Sequence, residues 1–168
     1  ILFFNNNDNI DGMFPFSLPY YYDIFALRKK GWVNDNALLK ARLYKNKYRV
    51  GSVIFNYLYI YKKQLPPNYF LDDLISVESA FGGMGLYKIN LEKLNVSSYR
   101  TNPQSTNYTT EHLSFNLQFK QLFIYKKWNI PAPKGYIIWK NLNIFEKFIF
   151  IIKTFKNDIK TFWGRENI

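Results

Sequence analysis

An acid–histidine pair is the part of this chain whose residue types are best suited to chemistry. Glu111-His112 follows Thr109-Thr110, either of which can cap a helix, so Glu111 is expected in the first helical turn. The helix dipole and free N–H groups there stabilise an ionised carboxylate, which can accept a proton from a hydroxyl group. His112, the single histidine, could ligate a divalent metal, although one ligand is weak evidence for a metal site. Taken alone, the pair is more often a capping glutamate beside a surface histidine.

A diglycine lies upstream of this pair, after a short apolar stretch. Gly82-Gly83 allows positive φ angles and lets a ligand approach the backbone closely. On physical grounds alone, a tight turn between two strands is the favoured explanation. The dipeptide by itself therefore carries little functional information.

An aspartate preceded by three tyrosines is the third feature. Asp23 could cap a helix or hold the hydroxyl groups of a sugar, with Tyr21 or Tyr22 offering a stacking face. Arg28 could reach a phosphate, but an ion pair with Asp23 is the favoured alternative. In the Asn-rich loop nearer the start, Asp8 and Asp11 could hold Mg²⁺ or Mn²⁺, although an ordinary turn is favoured there.

The elements that would position these residues alternate between strands and helices, which predicts an α/β domain. Strands are expected over Ile1–Phe4, Leu74–Ala80 and Met84–Ile89. Helices are expected over Asp23–Gly31, from Asn34 or Asp35 through Leu43, over Glu111–Phe123 and from Asn143 onward. The apolar run Val50–Tyr61 fits either a helix or a strand. Residues 90–99 are expected to form a turn or short helix, and residues 101–108 a polar loop.

Composition limits the classes of protein to which the chain can belong. The 168 residues suit one domain, and 48% apolar with 20% aromatic residues is far from a disordered composition. The net charge is +11, but 18 of the 23 cationic residues are lysines, in a chain crowded with Asn, Ile and Phe. That pattern indicates an AT-rich coding bias, whereas phosphate contacts favour arginine, so we expect no nucleic-acid partner. The absence of cysteine excludes disulfides and thiolate metal sites.

Three strings in order along the chain resemble a group of GT-A-type glycosyltransferases. They are Tyr-Tyr-Asp-Ile-Phe-Ala-Leu-Arg (21–28), Ser-Ala-Phe-Gly-Gly-Met-Gly-Leu-Tyr (79–87) and Glu-His-Leu-Ser-Phe-Asn (111–116). The group is similar to the fungal capsule-associated mannosyltransferases and to uncharacterised bacterial and viral relatives. The resemblance implies an α/β, GT-A-like mixed sheet flanked by helices over residues 1–140. It also implies transfer of a sugar from a nucleotide-sugar donor to a glycan or other hydroxyl acceptor, with a divalent metal, Mn or Mg.

The resemblance also implies roles for individual residues. Glu111 would be the catalytic base and Asp23 would position the sugar, while Arg28 would bind the diphosphate and His112 the metal. The acceptor would bind at Tyr22, Phe81, Gly82 and Gly83.

The chain departs from the GT-A pattern in two respects. Many GT-A enzymes have Glu-Asp where this chain has Glu-His, which places the assignment of the base in doubt. No Asp-x-Asp metal motif is present, and the nearest string, Asp8-Asn9-Ile10-Asp11, has the wrong spacing. We therefore expect that motif, and part of the nucleotide-binding half, to lie upstream of Ile1 in a longer protein.

The last segment, residues 141–168, is predicted to be a basic amphipathic helix. Its apolar positions fall on one helical stripe, which most often packs on the domain. Lysines beside bulky apolar residues also suit a helix lying at a membrane interface, so peripheral membrane contact through residues 143–168 is the alternative. In either case we expect the protein to be cytoplasmic. A module that binds carbohydrate or a membrane surface without catalysis is the rival function.

Overall fold

The computed structural model describes residues 2–48, 52–68, 70–89, 111–133 and 142–163. Within these ranges the chain has an α/β fold, with a four-stranded mixed sheet flanked by helices. The coarse fold class predicted from the sequence is therefore confirmed. The stretches expected to be a turn or short helix over 90–99 and a loop over 101–108, and the expected cap at Thr109 or Thr110, lie outside the described residues.

The sheet is built around two neighbouring parallel strands. Its strands are β1 (Gly12–Leu18), β2 (Leu74–Val77), β3 (Leu86–Tyr87) and β4 (Leu122–Pro131), in the order β2-β4-β1-β3. β1 pairs in parallel with β4, and the two outer strands pair antiparallel. The β1–β4 register shifts between Pro15 and Phe16, where proline lacks the N–H group needed for a regular ladder.

Five helices and one 3₁₀ turn in the described ranges accompany the sheet. They are α1 (Leu2–Asn5), α2 (Ala37–Tyr48), α3 (Ser52–Tyr59), the 3₁₀ turn (Tyr61–Gln64), α4 (Glu111–Asn116) and α5 (Ile144–Trp163). Side-chain caps explain where two of them begin. The Asn36 Oδ1 accepts the N–H of Leu39, and Asn143 and Glu146 accept each other's N–H groups in a capping box.

Several of the predicted helices and strands are confirmed and three are wrong. Helices α2 and α5 and strands β2 and β3 are found where expected, and the ambiguous run after residue 50 is helical over Ser52–Tyr59. The strand predicted at Ile1–Phe4 is instead helix α1, and Asp23–Gly31 forms turns rather than a helix. The helix predicted to reach Phe123 ends at Asn116, because the residues from Leu122 onward pair with β1 and β2.

A core of aromatic and aliphatic side chains lies beside the sheet and beneath the first of the three strings. Tyr21 is fully buried with its ring edge-on to Trp32, the ring centroids 5.4 Å apart. Phe14 from β1 and Ile124 from β4 are also fully buried in this cluster. The string that begins at Tyr21 is thus anchored in the main core, which gives Asp23 a rigid support.

Candidate functional site

The first two strings are joined through their backbones. The N–H of Arg28 donates to the carbonyl of Ser79 at 2.8 Å, and the N–H of Glu78 donates to the carbonyl of Arg28 at 2.9 Å. This antiparallel bridge attaches the turns after β1 to the end of β2. Residues about fifty positions apart in the chain therefore lie side by side.

The diglycine forms a turn that packs tightly against the tyrosines of the first string. Gly82 and Gly83 have φ angles of +67° and +90°, which residues other than glycine rarely adopt. A Cβ on Gly82 would stand 2.9 Å from the carbonyl oxygen of Pro15, and one on Gly83 would stand 2.5 Å from the hydroxyl of Tyr22. The turn favoured by the sequence is confirmed, and the close approach that requires glycine is to this protein's own residues.

Tyr21 supports the same turn from below. Its hydroxyl oxygen accepts the N–H of Phe81 at 3.2 Å. Complete burial raises the pKa of Tyr21 well above its ordinary value of 10.0, and the neighbouring Asp23 adds to this shift. Tyr21 is therefore neutral at physiological pH and acts as a structural hydrogen-bonding partner of the turn.

Asp23 lies where the three strings meet. Its carboxylate accepts the N–H of Ala26 at 3.4 Å and lies near the N–H of Gly82. Burial raises the pKa of Asp23 above its ordinary value of 3.8, and the nearby Glu111 adds to the rise, whereas the two N–H groups and His112 oppose it. Asp23 thus caps a turn and also lies near Glu111 and His112.

The acid–histidine pair closes the other side of this site. The His112 ring stacks on the Phe81 ring, with centroids 3.8 Å apart and planes 15° from parallel. Its Nε2 lies 4.0 Å from the Oε1 of Glu111, and 43% of the Glu111 side chain is exposed against 18% of His112. The Glu111 carboxylate is therefore open to a ligand, whereas stacking fixes the imidazole beside it.

Asn116, a residue of the third string for which the sequence predicts no role, connects helix α4 to the diglycine segment. It is completely buried and donates from Nδ2 to the Ser79 Oγ at 2.9 Å and to the Ala80 carbonyl at 2.6 Å. Its Oδ1 accepts the hydroxyl proton of Tyr87 at 2.7 Å. The one sequence signal for this role was an amide placed among the apolar residues of a short helix.

Arg28 takes a structural position rather than pairing with Asp23. Its Nη1 donates to the carbonyls of Phe25, at 3.0 Å, and Leu27, at 2.6 Å. Only 6% of Arg28 is exposed, and burial lowers its pKa while the carboxylates of Asp35 and Glu78 oppose the shift. The favoured Asp23 ion pair is therefore wrong, because main-chain oxygens take the guanidinium. Diphosphate binding by Arg28 stays a prediction.

Carboxylates suggested for metal binding are engaged elsewhere. The Asp11 Oδ2 accepts the N–H groups of Lys120 and Gln121, at 2.9 and 3.0 Å, and so supports the turn before β4. Asp8 lies 3.6 Å from the Lys88 ammonium. Across the described ranges, no group of three or more histidines and carboxylates is arranged to hold a metal ion. A metal at His112 stays a prediction.

Comparison of the chain with protein-family models, curated proteins and solved structures found no match. Among the helices in the described ranges, none has the length and apolarity required to cross a bilayer. The functional argument therefore depends on the geometry of the site itself. Sequence reasoning selected Asp23, Phe81-Gly82-Gly83 and Glu111-His112, and all of them lie at one location in the folded chain.

Proposed function

We propose that this chain forms the acceptor-side part of a GT-A-like, nucleotide-sugar-dependent glycosyltransferase. The observation that carries the proposal is the convergence of three strings that are far apart in sequence. Asp23 lies near the N–H of Gly82 and near Glu111 and His112, and His112 stacks on Phe81. Convergence of an open carboxylate, a buried carboxylate and an aromatic face suits a site that holds a sugar hydroxyl.

The exposed carboxylate is the better placed of the two acids to reach an acceptor. In the proposed reaction, the bond between the donor's anomeric carbon and its diphosphate oxygen breaks. The acceptor oxygen forms the new bond to that carbon, and its proton passes to Glu111. A metal ion or basic groups would stabilise the negative charge that develops on the diphosphate.

The buried carboxylate is proposed to orient the sugar. The carboxylate of Asp23 accepts the N–H of Ala26 and is largely buried, so its orientation is fixed. Its raised pKa also makes it a stronger base than an ordinary carboxylate. Substitution of each acid separately distinguishes these two roles.

The assay incubates the full-length gene product with a panel of nucleotide sugars and Mn²⁺ or Mg²⁺. Glu111→Gln should lower the rate of transfer by about 10²- to 10⁴-fold while donor binding is retained, because only proton transfer is lost. Asp23→Asn should weaken acceptor use, seen as a higher KM for the acceptor. Turnover and release of the nucleoside diphosphate are the measurements.

Asp72→Asn is the matched control, since Asp72 is an exposed carboxylate outside the three strings. It should leave turnover unchanged. Transfer that survives both Glu111→Gln and Asp23→Asn at the rate of the control would contradict the proposed site. Binding of glycans that needs neither nucleotide nor metal, with no transfer from any donor, would instead favour a non-catalytic carbohydrate-binding module.

A further inference from the structure

Helix α5 packs on the rest of the protein through its less apolar side. It contacts α3, and the Phe150 ring meets Tyr61 edge-on, with centroids 6.2 Å apart. Asp158 is 3% exposed and Thr154, whose hydroxyl donates to the Phe150 carbonyl at 2.8 Å, is half-buried. These three residues, spaced four apart, define the face of α5 that is directed at the domain.

The opposite side of α5 carries the bulky apolar residues and is exposed. Phe148 is 59% exposed and Phe155 is 52% exposed. The same stripe holds further exposed side chains, at Ile144, Phe145, Ile151, Ile152 and Ile159. The expectation that this stripe packs on the domain is wrong, because α5 is attached through Phe150, Thr154 and Asp158.

The exposed charges beside the stripe have one sign. Lys153, Lys156 and Lys160 are all exposed. At 100° per residue they lie along one edge of the apolar stripe. Of the two acids on the helix, Glu146 caps its first turn and Asp158 is buried against the domain. Beyond the first turn, the helix therefore offers solvent an apolar stripe bordered by positive charge.

We propose that this face of α5 binds an anionic lipid surface, with the apolar stripe entering the boundary between headgroups and acyl chains. The three lysines would then contact lipid phosphates or carboxylates, since long cationic side chains extend from an apolar surface to the headgroup level. A helix of 20 residues is about 30 Å long, which gives several phenylalanines simultaneous contact. The inference is independent of the proposed transferase chemistry.

Charge favours a lipid surface over a second copy of the chain. In a two-fold dimer the same face meets itself, so the apolar stripe would be covered, but neither copy would bring an acidic side chain to the other's lysines, because Glu146 caps the first turn and Asp158 is buried. The lysines would gain no opposite charge in such a dimer, whereas an anionic bilayer satisfies both the stripe and the lysines.

The test is co-sedimentation of the purified chain with vesicles of phosphatidylcholine, with and without phosphatidylglycerol. The chain should bind the anionic vesicles far more tightly than the zwitterionic ones. Phe148→Ser/Phe155→Ser should weaken binding by on the order of tenfold or more, because each ring then buries no apolar area in the bilayer. Both rings are exposed, so the domain should fold normally, which far-UV circular dichroism can check.

A matched apolar control replaces Leu71 and Leu117 by serine, since these are 84% and 64% exposed and belong to other parts of the chain than α5. It should leave vesicle binding unchanged. Equal vesicle binding by Phe148→Ser/Phe155→Ser and the wild-type chain would overturn the proposal.

The charge variant replaces Lys153, Lys156 and Lys160 by glutamine and should weaken binding to anionic vesicles by on the order of 100-fold. Its control, glutamine at Lys30, Lys62 and Lys120, removes the same charge from exposed positions outside α5. An equal loss in both triple variants would show that net charge alone drives binding and would overturn the proposal. The proposal would also be overturned if the wild-type chain bound no vesicles but formed a dimer that Phe148→Ser/Phe155→Ser abolished.

Discussion

At the scale of single residues, a buried amide organises the proposed site. Asn116 bonds Ser79, Ala80 and Tyr87 at once, and so ties α4 to the segment that ends in the diglycine. The position of Glu111, one turn earlier on the same short helix, depends on these three bonds because α4 has only six residues. A helix this short has little stability of its own.

Asn116→Ala should lower the free energy of unfolding by about 3 kcal/mol, since each lost hydrogen bond contributes roughly 1 kcal/mol. Urea denaturation followed by circular dichroism measures the change. Gln118→Ala is the control, because Gln118 is exposed just after the same helix. Similar stabilities for the two variants would mean that the amide network does not support the fold.

At the scale of elements, the diglycine turn is the piece on which the site geometry depends most. It connects the end of β2 to β3, and it presents Phe81 to His112 and the Gly82 N–H to Asp23. Tyr21 and Tyr22 touch it from the other side. A change in the turn should therefore move both the stacking face and the aspartate.

Gly82→Ala should lower the free energy of unfolding by about 2 kcal/mol, because a left-handed φ is costly for alanine and the new Cβ would press on the Pro15 carbonyl. Gly31→Ala is a matched control, as Gly31 has a φ of +84° in an exposed turn. The measurement is again urea denaturation. A smaller loss at Gly82 than at Gly31 would argue against the tight contact.

At the scale of the whole molecule, the buried aspartate makes stability depend on pH. The pKa of Asp23 is raised in the folded chain, mainly by burial, above the ordinary value of 3.8 that it regains on unfolding. Between these two values the folded chain binds more protons, so this group lowers the free energy of unfolding as pH rises through the window. At pH values above the raised pKa of Asp23, the decrease in the free energy of unfolding is complete and no longer changes with pH.

Asp23→Asn removes this titration. The difference in unfolding free energy, wild type minus variant, should fall as pH rises from 3.8 through the raised pKa and then level off. Glu111, His112 and Tyr21 lie near Asp23 and remain in both proteins, so the subtraction cancels the part of their titration that does not depend on Asp23. Chemical denaturation over a series of acidic buffers is the measurement. A constant difference across the series would contradict a raised pKa.

Part of the fold follows from local sequence patterns alone. Helices α2 and α5 carry their own caps, at Asn36 and Asn143, and β2 is a short apolar stretch before glycines. Capping and hydrophobic periodicity act within a few residues, so such helices and strands can be predicted without knowing the rest of the chain. The helix predicted to continue to Phe123 is wrong, because Leu122–Pro131 is a strand only through its pairing with β1 and β2.

By itself, the sequence determined which residues to suspect: an aspartate after three tyrosines, a diglycine, and an acid–histidine pair. Only the tertiary structure decided that Asp23, Gly82 and Glu111 meet, that Asn116 holds them in place, and that Arg28 bonds main-chain oxygens instead of Asp23. It also decided that the apolar stripe of α5 faces outward. Contacts between distant segments, and the choice of which helix face is covered, depend on partners that no local pattern specifies.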